Sequence, residues 1–540
     1  MKAQLKKILK PIYLKLRNFF FYPLDFYKFY KSQQLTQIQK KLIDELSFFK
    51  TTTKQANGIL LIQYLKDYEY TLKFAAASKT YAQNNHLNVS FYDINWTRWI
   101  GWGNQFERLY NRYFTSYNKK IHYAFGDEII FKCEEKFHDQ NLIKEQLLKI
   151  KNELLKPEDV LTIKIESILV GDLIYDTYLR YFNEPTIENI NENILKLIEI
   201  SLNIFYSFTK MLSENNVKAL FNSYTTYIEH GIPARICLAK GIKVYTFGSY
   251  SYIIQECTLD FPYHTINHTQ IGPDKKIKER DIELAKTNFT ARFKGVIDDA
   301  TSYMKVSAFS DKPISENLIE LFKNSERNVV IYTHDFYDSP HINRCLLFPD
   351  LYQFLKQTLD AIQEFNGTTY YIKTHPNSYG DCKERTIALV NSYQVNHFHI
   401  LDDSVSNIHI INLKPNLIVT ARGTVGAEMA HFKIPVVALY DNLYINFNFV
   451  HSCKELLSFY RIIIGQQGPV IDFDVAKIYS FYFQTYLEKV SHEKYPVILK
   501  LKTSHGQNHD DTYISNILNS NFHAWKNDLY INFQEALNQL

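Results

Sequence analysis

Three short polar runs hold the residues best equipped for chemistry. His334, Asp338, Ser339 and His341 form the first, and Lys373, His375 and Asn377 the second. Arg422, Gly423 and Thr424 form the third, with Glu428 four residues beyond Thr424. Each follows an apolar stretch, at 328–333, 368–374 and 416–420. Short apolar stretches rich in β-branched and aromatic residues read as strands buried on both faces. In a parallel sheet the loops beyond such strands share one edge, where open α/β sheets take their ligands. Cations, imidazoles and a Gly-containing turn gathered there suit the phosphates and sugar of a nucleotide. Glu428, one turn into a helix expected over 425–432, suits ribose hydroxyls. The plainer alternative makes Gly423 and Gly426 residues of a turn and of close helix packing, and His375-Pro376 an ordinary strand end.

A second group offers acid–base chemistry. Asp172, Asp176 and Arg180 recur at i, i+4 spacing, so a helix would put them on one face. A pair of carboxylates can deprotonate a hydroxyl, which makes Asp172 and Asp176 candidate catalytic acids; the competing reading is a solvated, salt-bridged face. Tyr227, His230 and Arg235 follow a strand expected over 217–223 and are candidates for the acceptor side.

These groups need a scaffold of alternating strands and helices. A strand at 58–64, a helix at 68–84 and a strand at 88–94 predict a parallel βαβ unit. From 328 onward, helices expected at 351–365, 384–394 and 404–412 separate strands at 368–374, 398–401, 416–420 and 436–440. The fold class expected is α/β, with two doubly wound Rossmann-like domains. The divisions expected are a basic aromatic helical segment at 1–54 and a first domain with helical insertions and a linker at 55–300. A second domain follows at 301–470 and a helical tail at 471–540.

At 540 residues the chain is too long for one hydrophobic core, which agrees with two domains. A net charge of +4 gives no support for a nucleic-acid surface. The six cysteines include no Cys-x-x-Cys pair, which suits a reducing compartment and argues against a zinc site or disulfide framework. No stretch approaches the ~20 apolar residues that span a bilayer, and the first residues lack a signal peptide's apolar core. The localisation expected is cytoplasmic, with peripheral attachment to the inner membrane. For that attachment, residues 1–31 interleave Lys2, Lys6, Lys7, Lys10, Lys15, Arg17, Lys28 and Lys31 with Ile8, Ile12, Leu16 and the run Phe19-Phe20-Phe21-Tyr22. Such a segment can lie on an anionic membrane surface; the alternative is a leader helix packed on the body.

No Walker loop and no Gly-x-Gly-x-x-Gly is present, which disfavours a P-loop enzyme or a dinucleotide oxidoreductase. Lys373-Thr-His-Pro376, Thr420-Ala-Arg-Gly-Thr-Val-Gly-Ala-Glu428 and Ile434-Pro-Val-Val together resemble the C-terminal domain of bacterial GT-B glycosyltransferases of the capsule polysaccharide biosynthesis type. That family includes relatives of the Kdo and sialic acid transferases that carry a His-Pro motif. Tyr227, Gly231 and Arg235 are similar to the end of the family's N-terminal domain. The resemblance implies a GT-B-like fold whose two domains face a cleft, and transfer of a sugar from a nucleotide-activated donor to a growing capsule- or lipopolysaccharide-type surface polysaccharide. It implies His375 at the donor phosphate, the Arg422–Thr424 turn at phosphate or base, and Glu428 at the ribose. The partners implied are a nucleotide sugar and a glycan or lipid-linked acceptor, with no metal and no cofactor. Donor identity and stereochemistry do not carry over, and the first domain's catalytic acid has no clear counterpart. The alternatives are a nucleotide-sugar epimerase, a polyol-phosphate transferase, or a non-catalytic GT-B scaffold.

Overall fold

The computed structural model describes residues 35–51, 55–97, 116–133, 135–247, 254–298, 307–309, 314–343, 347–375, 378–401, 405–488 and 511–540, together with Tyr27 and Tyr30. The segment 1–31 singled out for membrane contact therefore lies outside the described residues, save those two tyrosines, and Asn377 lies outside them too. The chain divides into two compact units.

The first unit comprises Met1–Lys136, Ser207–Phe221 and Pro496–Leu540. Its strands are β1 (Gly58–Gln63), β2 (Leu87–Asp93), β3 (Ile129–Lys132) and β4 (Val217–Asn222), with helix α1 (Tyr68–Asn85) between the first two. They pair in parallel in the order β3-β2-β1-β4. Leu60, Leu61 and Ile62 at the centre of β1 are fully buried, which explains the unbroken apolar run. Asp67 caps α1 by accepting the N–H of Tyr70 at 3.1 Å.

The second unit comprises Phe137–Tyr206 and Asn222–Tyr495. Ahead of its main sheet it includes helix α2 (Gly171–Phe182), helix α3 (Tyr227–Ala239), the antiparallel pair β5 (Lys243–Thr246) and β6 (Gln255–Cys257), and helix α4 (Glu279–Ala291). Its main sheet is built from β7 (Asn328–Tyr332), β8 (Thr369–Lys373), β9 (Phe398–Leu401), β10 (Leu417–Thr420), β11 (Val436–Leu439) and β12 (His451–Cys453). The connecting helices are α5 (Leu351–Ile362), α6 (Cys382–Ser392), α7 (Asn407–Leu413) and α8 (Val425–His431). All six strands are parallel, in the order β9-β8-β7-β10-β11-β12. The order reverses between β7 and β10, the place where the loops of such a sheet diverge and leave a crevice.

The fold is thus α/β, with two doubly wound, Rossmann-like sheets. The strands of the second sheet sit where their apolar runs predict. Val330, Ile418 and Val436 face one core and Val329, Val419 and Val437 the other; burial on both faces is what removes any polar alternation from these strands. The edge strand β12 had no sequence counterpart, because three residues are too few to show a period. Among the described residues no helix is long and apolar enough to cross a membrane.

Candidate active site

A cavity opens at the strand-order reversal of the second sheet. Tyr332, Thr333 and His334 reach it from the end of β7, and Lys373, Thr374 and His375 from the end of β8. Thr420, Gly423, Thr424 and Val425 reach it from the β10–α8 turn, with Glu428 inside α8 and Asn407 at the start of α7. Arg292, Val296, Ile297, Ser307, Ala308 and Phe309 close the remaining side. The space among these residues, counting the part open to solvent, is about 790 Å³.

The β10–α8 turn owes its shape to Thr420. The hydroxyl of Thr420 accepts the N–H of Gly423 at 3.1 Å and lies 3.0 Å from Nε2 of His334. The same Nε2 accepts the N–H of Ala421 at 3.1 Å. Burial, reinforced by the positive charge of Arg422 and by His375, pushes the His334 pKa down to about 3, so the imidazole is neutral. Lys373 is buried at the end of β8, and its ammonium donates to the carbonyl of Val405 at 2.6 Å. That bond fixes a cation in the cavity wall. His375 is partly buried, and burial lowers its pKa, against the pull of Asp338 and with the help of Lys373.

Glu428 lines the cavity but is deeply buried and well partnered. Its Oε2 accepts from Asn407 Nδ2 at 3.1 Å, and its Oε1 lies 3.3 Å from both Thr424 Oγ1 and Arg292 Nη2. Arg292 also meets Asp298 at 3.2 Å, and Asp298 in turn accepts the hydroxyl of Tyr482 at 2.5 Å. Burial opposes the Arg292 charge, but Glu428 and Asp298 outweigh it and hold the pKa above the usual arginine value. Nη2 of Arg292, although at ion-pair distance from Glu428, has no hydrogen-bond partner among the described residues.

The remaining candidates lie elsewhere. The guanidinium of Arg422 donates to the carbonyl of Pro340 at 3.2 Å and does not line the cavity. Asp338 is exposed, and Ser339 is buried beside it with its N–H on the Asp338 carboxylate at 3.0 Å. His341 is buried in a pair with Asp176, Nδ1 to Oδ1 2.6 Å, while its Nε2 donates to the carbonyl of Pro349 at 2.8 Å. Burial lifts the Asp176 carboxyl to about 6 in spite of His341, and Asp176 lifts His341 against the effect of burial. Asp172 makes a two-pronged ion pair with Arg235, both contacts 2.6 Å. The expected shared face of α2 is therefore divided among three partners, because Arg180 stacks over the ring of Tyr379 at 4.2 Å. Asp172 and Asp176, the candidate acids, are both committed to cations of the fold, and neither lines the cavity. Tyr227 opens α3 with φ +59°, and His230 sits 3.7 Å from Glu229 with its pKa lowered by burial.

No family model matches the sequence, and no curated protein matches it. Solved structures do show similarity. The Thermosulfurimonas dismutans KpsC, a beta Kdo 2,4 transferase, is 11% identical over 49% of this chain and 79% of its own, with a TM-score of 0.30. A glycosyltransferase from Rickettsia africae is 10% identical over 89% of this chain and 99% of its own, with a TM-score of 0.24. UDP-GlcNAc 2-epimerase from Neisseria meningitidis, bound to UDP-GlcNAc, is 10% identical over 86% and 99%, with a TM-score of 0.19. At such identities and scores, any assignment of activity rests on the site's own chemistry.

Sequence reasoning missed Arg292, which falls near the end of the 55–300 span expected to hold the first domain and its linker. One signal was available. Ala285, Phe289, Arg292 and Phe293 fall on one helical face, and an arginine on an otherwise apolar face needs a buried anion as partner. Asn407 carried no signal at all, since its role depends on where α7 meets α8.

Proposed function

We propose that the chain is a GT-B-type glycosyltransferase that takes its sugar from a nucleotide donor and adds it to a bacterial surface polysaccharide. The observation carrying this reading is the cavity at the sheet's order reversal, where two strand ends bring His334, Lys373 and His375 together. A phosphate placed among them would meet one fixed ammonium and two imidazoles, and charge-assisted contacts of this kind favour an anionic leaving group. The same lining includes the apolar side chains of Val296, Ala308, Phe309 and Val425, which suit a nucleobase. Glu428 and Arg292 lie in the same lining, with hydroxyl-binding chemistry appropriate to a ribose. Departure of the nucleotide leaves negative charge on a phosphate oxygen, which these groups stabilise without a metal. The acceptor's hydroxyl oxygen then bonds to the anomeric carbon and gives up its proton to a base.

Incubation with a panel of nucleotide sugars tests the reading, with nucleotide release measured with and without glycan or lipid-linked acceptor. Release that requires acceptor is expected. Interconversion of the donor sugar with no transfer would replace the reading by an epimerase, and silence across the panel would favour a scaffold.

A further inference from the structure

We propose that His334 is locked in the neutral tautomer with hydrogen on Nδ1, and that this N–H is a fixed donor to a phosphate oxygen of the bound nucleotide sugar. The role at phosphate rests on the nucleotide-sugar reading; the tautomer does not.

The tautomer follows from which groups can only donate. A backbone N–H can only donate, so that of Ala421, 3.1 Å from Nε2, requires a lone pair on that nitrogen. Thr420 Oγ1 already accepts the N–H of Gly423, which leaves its own hydrogen free to point at Nε2, 3.0 Å away. With Nε2 accepting twice, the ring hydrogen sits on Nδ1. No acceptor for it occurs among the described residues, and the ring lines the cavity. A second proton would have to enter at Nε2, against the Ala421 amide and beside Arg422 and His375. Burial first, and then the Arg422 charge and His375, push the pKa down to about 3. The groups facing the ring are thus two donors on Nε2 and two basic side chains nearby, with Lys373 in the same lining.

A neutral imidazole held this way differs from a general acid. When the bond between anomeric carbon and phosphate oxygen breaks, its electron pair stays on that oxygen, and the Nδ1–H hydrogen bond strengthens as the charge grows. No proton leaves His334, because neutral imidazole is too weak an acid to surrender one; neutral histidine serves as an electrophile in this way in enzymes that depress its pKa. The acceptor hydroxyl forms the new bond to carbon, and its proton goes to a base or to water. The contribution of His334 is therefore constant across the physiological pH range.

The test uses the full-length chain with ¹⁵N-labelled histidine, the His334 signals being assigned by their loss in His334→Gln. Long-range ¹H–¹⁵N spectra from about pH 5.5 to 8 should show a neutral ring with Nδ1 protonated and no titration. Added CMP, UDP or pyrophosphate should move the Nδ1 signal. His334→Gln, whose amide oxygen can still take the Ala421 N–H, should bind the nucleotide about tenfold to a hundredfold more weakly at an unchanged melting temperature. An Nε2–H tautomer, or titration within that range, overturns the lock. Nucleotide binding that leaves the Nδ1 signal unmoved overturns the donor role while the nucleotide reading stands. If none of the three probes binds, the nucleotide reading fails and takes the phosphate role with it.

Discussion

Gly426 offers the sharpest test of how the cavity turn is held. A Cβ at this position would stand 2.6 Å from Cζ of Tyr444 and nearer still to its hydroxyl. Tyr444 has little room to retreat, since it is 1% exposed and its ring packs against Phe449 at 5.6 Å and Phe481 at 5.7 Å. Its hydroxyl also donates to the carbonyl of Gly423 at 3.1 Å, which ties the cavity turn to the core. Gly426→Ala should therefore carry two costs, about 1–3 kcal/mol for overpacking and about 0.5–1.5 kcal/mol for the displaced hydrogen bond. A loss of roughly 2–4 kcal/mol in denaturant unfolding is the expected outcome, with weakened nucleotide binding. Because one hydroxyl accounts for the closest contact, Tyr444→Phe should soften the effect. In a double-mutant cycle the two changes should couple by about 1 kcal/mol. If Gly426→Ala costs less than about 0.5 kcal/mol, or costs the same with and without the Tyr444 hydroxyl, the close-packing argument is refuted.

Other perturbations probe separate parts of the molecule. Asp172→Asn should destabilise by about 3–5 kcal/mol, because it leaves Arg235 buried without its anion; a large loss of kcat at unchanged stability would instead identify Asp172 as a base. His375→Ala should weaken nucleotide binding by about 1.5–3 kcal/mol in calorimetry, and Arg422→Ala, whose guanidinium faces the Pro340 carbonyl, should do less. His122 is buried among Tyr64, Phe91 and Phe125, with its pKa near 4, chiefly through burial. A histidine with a depressed folded pKa binds more protons when unfolded, so its contribution is complete above about pH 6.5 and drains away as pH falls toward 4. His122→Phe should accordingly unfold less readily than the parent at pH 5 relative to pH 7, and an unchanged pH slope would count against the assignment. Deleting residues 1–31 should abolish binding to anionic vesicles, to which each basic residue contributes about 1 kcal/mol, while turnover on a soluble acceptor persists; undiminished vesicle binding would end the membrane proposal.

The parts of the fold that sequence made legible are those governed by local pattern. The stretch from Asn328 and the run ahead of Arg422 could be read as buried strands because burial on both faces leaves an unbroken apolar signal. His334, Lys373, His375 and Thr424 could then be gathered on one edge by topology alone. Partner choice was not legible. Asp172 and Asp176 share a helical face, yet one pairs with Arg235 on α3 and the other with His341 beyond β7, and no spacing rule encodes either meeting. Arg292 escaped for a related reason, since it follows a helix that joins no two strands of one sheet, and Glu428, one of its two anions, lies well over a hundred residues away in sequence.

Arg292 has a consequence for modularity. The core that includes Val330 and Ile418 also takes in Ile266, Ile271, Ala285 and Phe289, and the cation beside Glu428 arrives on the same upstream segment. The part of the chain from Asn328 onward is thus no self-sufficient cassette. Grafted into another protein from Asn328 onward, it would bring a buried carboxylate stripped of its arginine and an apolar face stripped of its cover. A chimera that keeps this pocket intact must place its splice point ahead of Ile266.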